Sequence, residues 1–221
     1  GTVLTLTSSD PTRLVLAPNN TTVGTASIQV TIPAGSYYAA FSVSGIEGQA
    51  GTTATVSMAV QGGQYTAPAP RTVTINPLGI EASGTVTLTT LSADGSGVVR
   101  LGELQPAGPS QSMYNESILR AGGQPVVVTL TSADAAVVQP VSDGVAANPR
   151  TVTIVPGQSR VNYNIRPTGA GSTSIAATSP SAGTPVRTGY PALITVSAPL
   201  SYLNVDASIG AGLTRAASLS L

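Results

Sequence analysis

The side chains able to do acid–base or nucleophilic chemistry are few in kind in this sequence. Its 221 residues include nine acidic and nine basic side chains, and neither histidine nor cysteine. Every basic residue is an arginine, so lysine is absent too. Ser-His-Asp, Cys-His and Ser-Lys sites therefore lack their base, zinc lacks its usual ligands, and a P-loop lacks its lysine. We expect a protein that is not an enzyme.

Paired carboxylates are the catalytic arrangement that remains open, since glycoside hydrolysis needs only two. No tryptophan is present, and the Trp or Tyr clusters that normally line sugar-binding clefts do not flank the carboxylates. We therefore predict no catalytic residue. The carboxylates considered are Asp10, Glu47, Glu81, Asp94, Glu103, Glu116, Asp134, Asp143 and Asp206.

Two Asp-Gly segments could ligate calcium or form turns. They are Asp94-Gly95-Ser96-Gly97 and Asp143-Gly144. Calcium needs several clustered oxygen ligands, whereas a single Asp followed by Gly favours a turn. We expect turns and predict no metal site. The lone Gly210-Ala211-Gly212 is too short a pattern for a nucleotide site, so we predict no cofactor-binding residue and no cofactor.

Alternation of apolar and polar residues predicts the elements that would position these groups. In the clearest run Val161, Tyr163 and Ile165 share one face, which indicates a half-buried antiparallel strand over residues 159–166. The adjacent Tyr37 and Tyr38 would point one ring inward and one outward. Further strands are predicted over residues 28–32, 37–43, 52–60, 72–75, 85–91, 126–131, 151–155 and 192–197.

Internal repetition is the most informative feature of the chain. Residues 4–10 (LTLTSSD) recur 124 residues later as 128–134 (VTLTSAD), and residues 30–35 (VTIPAG) recur as 152–157 (VTIVPG). Downstream of these matches, Phe41 and Val43 in the first copy correspond to Tyr163 and Ile165 in the second. This predicts one inward aromatic at the centre of each core.

A second match links other parts of the chain. Residues 79–88 (GIEASGTVTL) resemble residues 212–221 (GLTRAASLSL). We therefore predict three parts: the later part of one sandwich repeat over residues 1–75, a complete unit over 76–198, and the opening strands of a following unit, or a donor segment, over 199–221.

The two incomplete ends allow three interpretations. The chain could be an excerpt of a long tandem array. Alternatively, residues 199–221 of one subunit could complete the N-terminal part of the next by strand addition. The two ends could also pair within one chain.

Residues 92–124 have no match elsewhere and are interpreted as an insertion. Within it, residues 112–120 have the one pattern that suggests a helical turn or two. Loops on a rigid sandwich often carry binding function, so residues 102–123 are a candidate specificity loop, and the alternative is a cap over an open end of the sandwich. The side chains of interest there are Met113, Tyr114, Glu116 and Arg120.

Charge and hydropathy narrow the set of partners. Charged residues make up only 8% of the chain and the formal net charge is zero, so nucleic acid is not an expected partner. A surface with so little self-repulsion favours association with other copies or with neighbouring repeats. No apolar run is long enough to span a membrane. The first residues also lack the pattern of a signal peptide, so a signal has been cleaved or the chain is a segment of a longer one.

The run Thr7-Ser8-Ser9-Asp10-Pro11, followed by residues 30–43 (VTIPAGSYYAAFSV), resembles the immunoglobulin-like repeats of large bacterial and archaeal surface proteins of the adhesin and S-layer kind. The second copy departs from this pattern at Val155-Pro156-Gly157 and at Asp134-Ala135. The resemblance implies an all-β fold of tandem immunoglobulin-like sandwiches. It also implies a secreted or cell-surface location and a structural, filament-forming or adhesive role, with a cell-surface glycan or protein as a further possible partner.

Overall fold

The computed structural model describes residues 1–62, 66–83, 85–104, 113–179, 187–188, 191–205, 208–209, 211 and 214–220. Over these ranges the chain forms strands, turns and loops, with no helix. The prediction of an all-β fold is confirmed. Within the same ranges, no helix has the length and apolar character needed to cross a membrane.

Six strands form what we call the first module. Four of them make an antiparallel sheet in the order β3-β1-β5-β6, and β2 pairs separately with β4. Leu6, Leu16 and Val30 form the small core between these layers. The strands are β1 (Thr2–Ser8), β2 (Leu14–Ala17), β3 (Ser27–Ile32), β4 (Ser42–Gly45), β5 (Thr53–Val60) and β6 (Arg71–Thr74).

Twelve further strands form the second module, a sandwich of two sheets. One sheet has the order β13-β12-β15-β9-β7-β17 with β10 beside β9, and the other has the order β14-β11-β16-β18-β8. The strands are β7 (Leu78–Ser83), β8 (Thr85–Thr89), β9 (Gly95–Leu104), β10 (Met113–Glu116), β11 (Val126–Ser132), β12 (Val138–Ser142), β13 (Val145–Ala146), β14 (Arg150–Ile154), β15 (Arg160–Pro167), β16 (Gly171–Thr178), β17 (Arg187–Thr188) and β18 (Ala192–Ser197).

The strand order of the second module is that of an immunoglobulin-like sandwich. Strands β7, β9, β15 and β12 take the places of A, B, E and D in one sheet, and β11, β16 and β18 take those of C, F and G in the other. The opening segment divides between the sheets, because β7 pairs antiparallel with β9 while β8 crosses over to pair parallel with β18. The predicted fold class is confirmed.

The core of the second module follows the predicted alternation. Tyr163 and Ile165 on β15 are 3% and 0% exposed, while their neighbours Asn162 and Asn164 face solvent. They join a continuous apolar cluster drawn from both sheets. Burial of such side chains stabilises the sandwich by about 1.5–3 kcal/mol each.

The two modules share strand order and register. The order β3-β1-β5-β6 corresponds to β14-β11-β16-β18. Ser8 and Ser132, matched in the repeated run, lie opposite Val56 on β5 and Ile175 on β16. The first module is therefore built like β11–β18 of the second, and within its described residues no strand takes the places of β7, β8 and β9.

The strand predicted over residues 37–43 is wrong in its first half. Only β4, which begins at Ser42, is extended and paired. Tyr37 and Tyr38 are 91% and 66% exposed, with ring centroids 5.3 Å apart, so neither ring points inward as predicted. The corresponding part of β15 is extended because β9 pairs with it, and residues 37–41 have no such neighbour among the described residues.

The predicted helical turn over residues 112–120 is also wrong. Met113–Glu116 forms β10, which pairs antiparallel with the end of β9. Pairing with an available sheet edge overrides the weak local preference for helix. Residues 105–112, within the interpreted insertion, lie outside the described residues.

A final pair of short strands, β19 (Tyr202–Asn204) and β20 (Ser218–Ser220), forms an antiparallel ribbon of its own. Tyr202 pairs with Ser220 and Leu203 with Leu219. We call this the C-terminal ribbon.

Candidate functional site

One side of the first module is open. In the second module the equivalent side is covered by β9. In the second module β15 pairs on one side with β12 and on the other with β9. In the first module β4 pairs with β2 alone, and β6 pairs with β5 alone, among the residues that the structure describes. We call β4, β6 and the apolar side chains beside them the open edge.

Two side chains at matched positions show what the missing strand changes. Phe41 is 39% exposed whereas Tyr163 is 3% exposed, and Val43 is 41% exposed whereas Ile165 is fully buried. The prediction that Phe41 is the centre of a closed core is therefore wrong for the first module. Apolar side chains in sheets of soluble proteins are normally covered, so this face has the character of an interaction site.

Strand β6 is the second part of the open edge. Arg71 on β6 and Ala192 on β18 hold equivalent places opposite β5 and β16, so Val73 is the counterpart of Ile194. Ile194 is 1% exposed because β8 lies beside β18, whereas Val73 is only half-buried. The exposed Arg71 replaces a buried alanine, which confines the apolar part of the edge to the Val73 end.

The second module shows what would cover such an edge. Strands β7 and β9 contribute the buried Ile80, Ala82, Val99 and Leu101 to the core. Val86 and Leu88 of β8 are half-buried and pack against the same core. Covering the open edge therefore requires extended segments with alternating aliphatic residues.

The C-terminal ribbon carries exposed apolar residues of this kind. Tyr202, Leu203 and Leu219 are 62%, 74% and 71% exposed. Isolated two-stranded ribbons are marginally stable in water. Leu213 and Leu221, which belong to the sequence match with residues 79–88, lie outside the described residues, as do Gly210 and Gly212.

A partly exposed ion pair joins the two modules. The Arg120 Nη2 atom lies 2.6 Å from Oε2 of Glu47, and the Arg120 Nε–H donates to both carboxylate oxygens at 3.1 Å. The backbone N–H of Gln124 also donates to Glu47. Partial burial would raise the pKa of Glu47, but the hydrogen bonds and charge of Arg120 outweigh it, so the pKa lies below its ordinary value.

Beside this ion pair is a cleft of about 610 Å³ lined by both modules. Leu119 packs on the core of the second module, and Ile118 remains 47% exposed. Both residues belong to the candidate specificity loop. Met113 contacts the backbone region of Gly102 on β9, where an added Cβ would lie 2.4 Å from its Sδ atom.

Five of the described candidate carboxylates, Asp10, Glu47, Asp94, Glu116 and Asp143, form ion pairs with arginines. Glu116 accepts hydrogen bonds from Ser159 Oγ at 2.6 Å and from Arg160 Nε at 2.8 Å. The Ser159 bond, followed by the charge of Arg160, lowers the pKa of Glu116. A glycosidase needs one carboxyl with a raised pKa, and the shift here has the opposite sign.

The two Asp-Gly segments are placed in different ways. Asp143 and Gly144, at φ 53° and 74°, form the two-residue turn between β12 and β13. The turn predicted at Asp94-Gly95-Ser96-Gly97 is wrong, because Gly95 begins β9 and the strand continues through Gly97. Asp94 receives two hydrogen bonds from Arg166, at 3.0 and 2.9 Å, and these lower its pKa. Within the described ranges no three acidic side chains come together as a cation site would require.

The other carboxylates considered are dispersed. Asp10 accepts a hydrogen bond from Thr12 and forms an ion pair with Arg13. Glu103 accepts a hydrogen bond from Asn76, and Asp134 accepts one from the N–H of Ala136. Glu81 is half-buried on β7. Asp206 lies outside the described residues. This dispersal provides no shared catalytic centre.

Comparisons with known proteins give structural neighbours only. No family model and no curated protein matches the chain. It is similar to domains 4 and 5 of the S-layer protein SbsC, with 20% identity, 66% of each chain covered and a TM-score of 0.36. For SbsC domains 1–6 the values are 16% identity, 91% of this chain, 29% of that one and a TM-score of 0.38. For InvD of Yersinia pseudotuberculosis the identity is 12%, with 94% of this chain and 53% of that one covered and a TM-score of 0.33. The chain spans less than two thirds of the length of each of these structures.

Sequence reasoning missed β9, the strand whose presence or absence separates a closed module from an open one. Glycines at positions 95, 97 and 102 interrupt its alternation. At Gly97 and Gly102 neighbouring atoms fill the space where a Cβ would be. At Gly97 an added Cβ would lie 2.4 Å from Cζ of Tyr163. A signal was available in the inward pattern of Val99 and Leu101.

Proposed function

We propose that this chain is a non-enzymatic structural module of an extracellular surface assembly, such as a surface layer, filament or adhesin. Copies would join when residues 199–221 of one complete the open module of the next. The proposed parts are residues 1–75 as the incomplete module, 76–198 as the complete one, and 199–221 as the joining segment. Other copies of the chain are the proposed partners.

The observation that carries this proposal is the exposure of Phe41 and Val43 at positions where Tyr163 and Ile165 are buried. The backbone framework around both pairs has the same order and register. The open edge could therefore pair with strands equivalent to β7, β8 and β9 of the second module. An unpaired edge of this kind adds strands from other chains readily.

Chain chemistry supports a mechanical rather than a catalytic role. The described carboxylates Glu47, Asp94 and Glu116 are held by arginines, which keep them ionised and occupied. The zero formal net charge removes the long-range repulsion that keeps many proteins monomeric. Strand pairing and packing between modules would hold the assembly.

The test is self-association of the purified chain, followed by sedimentation velocity and electron microscopy. We expect concentration-dependent, linear oligomers, and we expect a variant ending at Ala198 to remain monomeric while keeping β18 intact. The control is Leu193→Ser, which removes a leucine that is 58% exposed on the outer face of β18 and should leave assembly unchanged. A wild-type chain that stays monomeric at high concentration would overturn the proposal.

A second candidate function is a binding module for a cell-surface glycan or protein. The observation that favours it is the cleft of about 610 Å³ beside Glu47 and Arg120, with Ile118 exposed at its rim. Binding by a monomeric chain on a glycan array, lost when residues 113–120 are replaced by a Gly/Ser segment, would support this function over the structural one.

A further inference from the structure

The complete module specifies how its opening segment is held at a sheet edge. Strand β8 runs parallel to β18, with Val86 opposite Ile194 and Thr85 opposite Leu193. The inward Val86 thereby covers Ile194, which is 1% exposed. Among the described residues, β18 is the one strand that pairs with β8.

The first module presents an edge with the same geometry. Val73 on β6 lies opposite Ala54 on β5, as Ile194 lies opposite Thr173 on β16. Val73 is half-buried rather than covered, and β6 ends its sheet within the described part of the chain. No described residue therefore fills, beside β6, the place that β8 occupies in the second module.

The C-terminal ribbon carries the matching sequence. In the alignment of residues 79–88 with 212–221, Thr85 and Val86 correspond to Ser218 and Leu219. Leu219 is 71% exposed, and among the described residues β20 pairs with β19 alone, which leaves its other edge unoccupied. A β8-like segment and a β8 place that no described residue fills thus occur in one chain.

Resting on the proposed function, we propose that β20 of one copy pairs in parallel with β6 of a second copy, with Leu219 opposite Val73 and Ser218 opposite Thr72. The register follows from Val86–Ile194 and Thr85–Leu193 in the second module. Leu219 then covers Val73, and Ser218 and Thr72 face outward. The occupant of the edge is a second copy of this chain.

The absence of cysteine allows a direct test by disulfide trapping. Two single variants, Thr72→Cys and Ser218→Cys, are mixed and oxidised, so any disulfide between them is intermolecular. The register control mixes Thr74→Cys with Ser218→Cys. A two-residue displacement shifts the position by about 6.6 Å along the strand, perpendicular to a strand spacing of about 4.8 Å. The Cα atoms are then about 8 Å apart, beyond the range of about 4.4–6.8 Å that a disulfide spans.

We expect the Thr72–Ser218 heterodimer to form at least about tenfold faster than the Thr74–Ser218 one. Equal rates, or faster trapping of the control pair, would overturn the register. A third variant with both Thr72→Cys and Ser218→Cys is oxidised at high dilution; a disulfide within one chain would overturn the assignment to a second copy.

Sedimentation of the unmodified chain separates this inference from the proposed function. Assembly of the wild-type chain without preferential Thr72–Ser218 trapping would leave the structural role in place and exclude this mode of joining. Monomeric behaviour together with absent trapping would exclude both.

Discussion

Gly97 lies directly against the ring of Tyr163, the residue opposite it across β9 and β15. A Cβ at position 97 would approach the ring to 2.4 Å at Cζ and 2.7 Å at the hydroxyl oxygen. The ring is 3% exposed. The close contact between β9 and the ring closes the second module at the position where the first is open.

The first prediction concerns this contact. We expect Gly97→Ala to destabilise the second module by about 1–3 kcal/mol, because overpacking forces the ring or the strand to shift. Ser96→Ala, the matched control on the outward face of β9, should change stability by less than about 0.5 kcal/mol. Urea unfolding measures both. A cost for Gly97→Ala that persists unchanged in a Tyr163→Ala background would show that the ring is not the cause.

The second prediction concerns the Tyr163 hydroxyl. This buried oxygen has no hydrogen-bond partner among the described residues, and burial raises the pKa of Tyr163 to about 12. Removing an unpartnered buried hydroxyl relieves its desolvation cost. Tyr163→Phe, which installs the residue type found at position 41, should be neutral or stabilising in thermal unfolding. A loss above about 1 kcal/mol would reveal a partner for the hydroxyl.

The third prediction compares matched positions in the two modules. Tyr163→Ala empties a closed core and should cost about 3–5 kcal/mol. Phe41→Ala removes a side chain that is 39% exposed, so the isolated chain should lose far less, about 1 kcal/mol. Under assembling conditions Phe41→Ala should cost more than in the monomer. Equal costs for the two substitutions in the monomer would mean that Phe41 is covered in solution.

The fourth prediction is a pH dependence at the junction between modules. The pKa of Glu47 lies below its ordinary value of 4.5 when the chain is folded. A carboxyl with a lowered folded-state pKa stabilises fully above its unfolded pKa and loses that contribution as the pH falls through the folded value. We therefore expect Glu47→Gln to reduce stability at pH 7, by up to about 1 kcal/mol for this partly exposed pair.

At pH 3, below the ordinary pKa of 4.5, the difference in stability between Glu47→Gln and the wild-type chain should be smaller than at pH 7. Thermal unfolding and limited proteolysis between the modules at both pH values make the comparison. Glu81→Gln is the control, since Glu81 lies on β7 away from the junction. A pH-independent difference for Glu47→Gln would argue against an ionised Glu47–Arg120 pair.

The fifth prediction concerns calcium. Arg166 forms an ion pair with Asp94. Asp143 lies in a tight turn, with its carboxylate 3.7 Å from Arg150 Nη2. Millimolar CaCl2 should therefore leave the Tm unchanged relative to MgCl2 and to EDTA. A rise of several degrees specific to calcium would indicate a cation site, and substituting each aspartate by asparagine would then locate it.

Strands with simple alternation could be predicted from the sequence, and others could not. Strands β15 and β18 bury every second residue, so their period is visible. Strand β2 buries all four of its residues and shows no period. Strand β9 is interrupted by glycines that the Tyr163 ring and other neighbours require, a constraint visible only once the strands are paired.

The sequence identifies the residues of the candidate site, but it does not predict that their side chains are exposed. The match of Phe41 with Tyr163 follows from the repeat, and the structure gives them corresponding positions. Whether these two side chains are buried depends on a further strand, β9, whose described partners all belong to the second module. Sequence patterns identify inward positions; they do not reveal whether the covering strand is present.

The parallel pairing of β8 with β18 has a mechanical consequence. Tension along the chain would pull β8 from its beginning, near Thr85, and β18 from its end, near Ser197, which are opposite ends of one ladder. The load then falls on all the rungs at once as shear, rather than opening them one after another as a zipper. A module closed in this way is suited to bear force, and a β20–β6 joint in the same geometry would carry that force from one copy to the next.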